Sequence, residues 1–150
     1  MKYTLTFIVT FLFALSLQAQ QVTHPFKEME TELMQQVNEY RKGVGVRPVK
    51  QHVYVSNIAE RHSRDMASQK VPFGNEGYKD RTDKIFDQLK PVYSFGENIA
   101  VVRSSVKEAI DEWINTPKQK KVLEGDFNYS GIGIIKAGDS FLVTQIFILK

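Results

Sequence analysis

Gly96-Glu97-Asn98-Ile99-Ala100 is the stretch on which the reading of this chain turns. It lies within Phe95 to Val102, which alternates loosely between apolar and polar residues and reads as a β-strand. Glu97 stands in the middle of that strand. A carboxylate there has two roles open to it. It can hold neighbouring loops through backbone N–H groups, or it can serve as the acid–base group of a cleft. Both stay open at this stage.

Working outward, Ser105 with Glu108 three residues on makes a capping box. The helix behind it is expected to bury Val106, Ala109, Ile110 and Trp113. Pro117 starts another turn or two. Ser130 to Lys136 and Phe141 to Leu149 are β-rich, and Ala137-Gly138-Asp139 between them suits a hairpin turn. Upstream, Phe26, Met29, Leu33, Val37 and Tyr40 recur at steps of three and four, one stripe of a helix. Gly43 and Gly45 stop it, and Pro48 fixes an extended segment. A second helix is expected over Val53 to Gln69, with Ile58, Ala59, His62 and Met66 inward. Pro72 to Gly77 reads as a loop, and Asp80 to Leu89 as a short helix with Ile85, Phe86 and Leu89 apolar. Helices surround a few strands without a βαβ repeat, which is an α+β pattern.

Residues 1–20 read as a secretory signal peptide. Lys2 gives a positive start, and Leu5 to Leu17 is an apolar run broken only by Thr6, Thr10 and Ser16. The run is short for a membrane span, which needs ~20 residues, so no stable transmembrane segment is expected after cleavage. Residues 21–27 form a lead-in, and 28–150 are expected to be one domain, enough chain for one core and too little for two. The destination is secreted or periplasmic. The net charge is +3, from 20 Lys and Arg against 17 Asp and Glu. Lys118, Lys120 and Lys121 make the one dense basic cluster, without interleaved aromatics, so it reads as a solvated helix face and no nucleic-acid partner is expected. There is no cysteine, so the domain must be stable through its core alone.

Further segments flank the central stretch in a fixed order: Ala59 to Ala67, Phe73-Gly74-Asn75-Glu76-Gly77, Trp113 to Lys120, Gly131-Ile132-Gly133-Ile134 and Val143 to Phe147. Asn38-Glu39-Tyr40-Arg41 adds an N-x-x-R signature. Together, over roughly residues 28–148, they resemble the CAP superfamily (cysteine-rich secretory, antigen 5, pathogenesis-related 1) in its compact bacterial form. The resemblance implies a three-layer α-β-α sandwich, a small antiparallel or mixed sheet flanked by helices. It also implies a cleft lined by two histidines and one or two glutamates.

This chain departs from that cleft at three of four positions. Asn75 stands where the first histidine is expected, in the 73–77 loop. Gln119 stands where the second is expected, in Thr116-Pro117-Lys118-Gln119-Lys120, and Thr116 stands where a second glutamate occurs. Glu97 alone matches. Amide oxygens are poor zinc ligands, and a catalytic zinc site needs about three protein ligands plus an open position. No metal or other cofactor, zinc included, is therefore expected. Amides do not act as general acids or bases either, though they donate and accept hydrogen bonds. Lys118 is a candidate to pair with Glu97 in place of a lost cation. His62 reads as a packed core histidine, His24 and His52 lie elsewhere, and no two histidines have ligand spacing. Ser63 and His62 are sequence neighbours and do not face each other on a helix.

The function expected is that of a secreted, non-catalytic binding or interaction module with a degenerate cleft, its ligand an extracellular or envelope lipid, small molecule or protein. The alternative is a metal-dependent hydrolase, protease- or nuclease-like, using Glu97. A lipid groove would need exposed apolar residues near Val71 to Phe73 or Val92 to Phe95, which otherwise read as core.

Overall fold

Strict alternation along the last strand organises the structure. In the computed structural model, which describes residues 26–150, β4 runs Ser140–Leu149 at the middle of a four-stranded sheet. Its Val143 and Phe147 turn to one face, and its Ile146 and Ile148 to the other. Both faces therefore need cover, and helices supply it. β2 (Ser94–Val102) and β3 (Tyr129–Ala137) pair antiparallel on either side of β4. The two-residue β1 (Lys50–Gln51) pairs parallel to β3, which makes the sheet mixed, in the order β1-β3-β4-β2. The expected extended segment after Pro48 thus contributes a short edge strand.

On the first face, α1 (Lys27–Gly43) and α4 (Lys107–Asn115) bring Leu33, Val37, Ala109, Ile110 and Trp113 against Ile132, Ile134, Val143 and Phe147. On the other, α2 (Val53–Ala67) and α3 (Tyr78–Gln88) bring Val55, Ile58, Ala59 and Ile85 against Ile146 and Ile148. The result is the expected three-layer α-β-α arrangement. The alternation of β3 explains its glycines. Ile132 and Ile134 fill the α1 face, whereas Gly131 and Gly133 lie under α2. A Cβ on Gly131 would stand 2.2 Å from Ser56 N, and one on Gly133 2.1 Å from Glu60 N. Any side chain there would push the helix off the sheet.

Arg41 closes the α1 end. Its guanidinium is fully buried and donates to Arg47 O, Leu123 O, Gly125 O and Phe127 O. Asn38 exchanges two bonds with Val49, donating from Nδ2 to its O and accepting at Oδ1 from its N–H. The N-x-x-R pair therefore pins two irregular segments to one helix.

Element ends differ from the sequence reading by a few residues. α2 stops at Ala67, before Gln69, which takes φ 58°. α3 begins at Tyr78 and stops at Gln88, one residue before Leu89. α4 begins at Lys107, so its cap position falls on Val106 and not on the expected Ser105, although Ser105 and Glu108 still bond across the turn. Ser105 Oγ accepts from Lys107 N–H at 3.1 Å, and Glu108 accepts from the Ser105, Ser104 and Arg103 N–H groups. The Ser104 hydroxyl and those N–H donors hold the Glu108 carboxyl down at about 2. The leader expected over residues 1–20, and most of the lead-in, lie outside the described residues.

Candidate functional site

Glu97 points from β2 into the layer of α2 and α3, where its carboxylate accepts three hydrogen bonds. Arg81 of α3 donates Nε to Oε2 at 2.7 Å and Nη2 to Oε1 at 2.6 Å, a two-pronged ion pair. Asn75 Nδ2 adds a third bond to Oε1 at 2.9 Å. The Glu97 side chain is 0% exposed and that of Arg81 10%. Arg81 also donates Nη1 to Glu76 O at 2.7 Å, which ties the 73–77 loop to the same pair. The cation on Glu97 is therefore Arg81, correcting the expectation of Lys118, which stands exposed. The physical reason is reach: Arg81 lies on the buried stripe of α3, four residues before Ile85, directly beneath the carboxylate.

The opposite face of β2 is held by α5 (Pro117–Leu123). Gly96 lets it approach, since a Cβ there would stand 2.9 Å from both Val122 Cγ1 and Phe127 Cζ. Gln119 Nε2 donates to Ile99 O at 3.0 Å, and Trp113 Nε1 donates to the same oxygen at 2.9 Å. Asn98 Nδ2 donates to Gln119 O at 2.9 Å. These donations fix both amide orientations. Among the described residues Asn98 Oδ1 and Gln119 Oε1 are left buried with no hydrogen-bond donor.

Between the 75–78 segment and α5 lies a cavity of about 280 Å³. Phe95 to Ile99 form its floor, Lys118, Gln119 and Val122 one wall, and Asn75 and Tyr78 the other. Tyr78 packs edge-on to Phe95, with ring centroids 5.0 Å apart, and remains 40% exposed at the rim. Burial, and then the nearby Glu97 charge, raise its phenol above the ordinary range. Asn75, Glu97 and Gln119 thus meet at one cavity. Thr116 does not line it; it is the residue before α5, and its carbonyl accepts from Lys120 N–H.

His62 is buried beneath the same loop, and its Nε2–H donates to Gly74 O at 2.9 Å. Burial, and then the Arg81 charge, push its pKa below the ordinary value. Ser63 faces the sheet, 2.9 Å from Gly133 O and 2.8 Å from Thr144 Oγ1, which is a packing role. Among the described residues no three His, Cys, Asp or Glu side chains are placed to hold a metal ion. The apolar segments considered for a lipid groove divide. Val71, Val92 and Phe95 pack partly into the core, whereas Phe73 and Tyr93 stand 53% and 70% exposed.

Residues 34–147 match the cysteine-rich secretory protein family, CAP. The chain belongs to this family. Curated proteins give no match. Among solved structures, this CAP domain is similar to an outer surface protein of Borrelia burgdorferi. The TM-score is 0.71 at 16% identity, over 83% of this chain and 95% of that one. It is also similar to a cysteine-rich secretory protein of Staphylococcus aureus, with TM-score 0.68 and 20% identity, over 82% of this chain and 38% of that one. An extracellular SCP-domain protein of Bacillus anthracis gives TM-score 0.67 at 25% identity, over 83% of this chain and 43% of that one. The CAP domain therefore spans less than half of the latter two proteins. No helix among its described residues is long and apolar enough to cross a membrane.

Proposed function

We propose that this CAP protein is a secreted or periplasmic binding module whose cavity beside β2 holds a ligand without catalysing a reaction on it. One observation carries the reading: the carboxylate of Glu97 is spent on Arg81 and Asn75 inside the protein. A general base must have a free lone pair within reach of its substrate, and a metal ligand must face the ion. A side chain fully enclosed by a guanidinium fork does neither.

The donor set does not fit zinc. Asn75 and Gln119 offer amide oxygens, poor zinc ligands, where the resemblance implies imidazoles. What remains is a small polar-and-apolar pocket, with Tyr78, Phe95 and Val122 as its apolar part. The leader expected over residues 1–20 supports a site of action outside the cytoplasm. So do the secretory character of the family and the outer-surface and extracellular proteins whose structures the chain resembles.

Calorimetric titration of the full chain with zinc tests this. No heat of binding up to millimolar zinc is expected. Micromolar binding that disappears in Glu97→Gln would overturn it and restore the metal-dependent hydrolase.

A further inference from the structure

We infer that the ligand of this pocket is an extended peptide, which adds as a short fifth strand to the open edge of β2; the inference rests on the binding-module reading above. Among the described residues β2 is the last strand of the sheet, paired with β4 on one side only. Its residues up to Val102 keep an unbroken register with β4. Ile99 O accepts from Trp113 and Gln119 side chains, so it is turned away from β4. In an antiparallel ladder N–H and C=O of one residue share a side and alternate along the strand. The main-chain groups of Phe95 and Glu97 therefore face outward with those of Ile99. Helices α4 and α5 cap Ile99, but among the described residues no backbone bond outside the ladder reaches Phe95 or Glu97.

The exposure of Glu97 agrees. The residue is 6% exposed while its side chain is 0% exposed, so the surface it shows is main chain. Five consecutive residues of this edge, Phe95 to Ile99, line the cavity. The pocket is thus a slot laid along a strand edge, where a partner strand would sit ~4.8 Å away.

The chemistry of the walls separates a peptide from a lipid. An alkyl chain would leave the outward main-chain groups of Phe95 and Glu97 without partners. A peptide backbone brings both N–H donors and C=O acceptors at strand spacing. Affinity from main-chain bonds, with side-chain selection by an adjoining pocket, is the logic of strand addition. The apolar surface of Tyr78, Phe95 and Val122 selects an apolar residue at the position that turns toward it. Lys118 at the rim favours a carboxylate beside it.

The test uses the isotopically labelled full chain and a pool of acetylated, amidated tetrapeptides built from Val, Leu, Thr and Ser. A matching pool is N-methylated at the two central residues, and dodecanoate serves as the lipid probe. The first pool is expected to shift the Phe95 and Glu97 amide resonances and slow their hydrogen exchange. N-methylation should weaken binding roughly tenfold, the loss of about two backbone bonds. Equal binding of both pools overturns strand addition. If dodecanoate shifts those amides and the peptides do not, the peptide assignment falls and the pocket reading survives. If neither ligand perturbs the cavity, the assignment also falls. Zinc perturbing Glu97 removes both readings together.

Discussion

Arg41 and Arg81 are both buried cations, and the protein neutralises them in different ways. Among the described residues Arg41 makes no ion pair with a carboxylate. It donates to four main-chain carbonyls and lies 5.9 Å from the centre of the Phe147 ring. Arg81 instead takes one carboxylate in a fork. The first arrangement holds the 47 and 123–127 loops to α1. The second ties α3 and the 73–77 loop to β2 beside the cavity.

The comparison breaks most visibly at Arg41. Arg41→Met strands four carbonyls in a dry region, and a loss of about 4 kcal/mol or more in unfolding free energy is expected. Urea denaturation reads this directly. A loss below about 1 kcal/mol would mean that the loops find other partners. Glu97→Gln is expected to cost slightly less, about 3 kcal/mol, because it leaves Arg81 charged and buried without its counter-ion. Asn75→Ala removes only one of three bonds to Glu97, and a loss of about 1–2 kcal/mol in the same assay is expected.

The smallest effect is a pH dependence centred on His62. Burial, and then the Arg81 charge, lower its pKa in the fold. The folded state thus binds fewer protons than the unfolded chain below the ordinary value of ~6.5. The stability is fully present above that value and is lost as pH falls toward the lower folded pKa. The melting temperature of the wild type should therefore drop more between pH 7 and pH 5 than that of His62→Gln. His52, whose pKa burial also lowers, keeps part of the slope in both. Identical slopes would show that His62 is not held neutral.

Most of the scaffold is legible in the sequence because it rests on period. The stripe Leu33, Val37 and Tyr40, the pairing of Ser105 with Glu108, and the alternation of β4 each predict what the structure contains. β1 is not legible, because a two-residue strand with both residues exposed carries no pattern. The site is legible only in part. Motif order places Asn75, Glu97 and Gln119 together, and they do meet at one cavity. Thr116 does not line that cavity, because it sits at the cap of α5, ahead of the turn that carries Gln119. Arg81 was missed because its partner lies sixteen residues away in another layer. One signal is present: Arg81, Ile85 and Leu89 follow one helical stripe, and a cation on an apolar stripe calls for buried acceptors, carbonyls as for Arg41 or a carboxylate as here. Nothing in a sequence marks which edge of a strand stays open, so the slot beside β2 required the structure.

The central claim is that Glu97 belongs to Arg81 and not to a substrate or metal. A double-mutant cycle measures that bond most directly, using urea unfolding of the wild type, Glu97→Leu, Arg81→Met and the double variant. The account predicts that each single change is strongly destabilising and the double is close to the wild type, giving a coupling of about 2 kcal/mol or more. A coupling near zero, with each single variant as stable as the wild type, would contradict it and return Glu97 to the cleft as a free carboxylate.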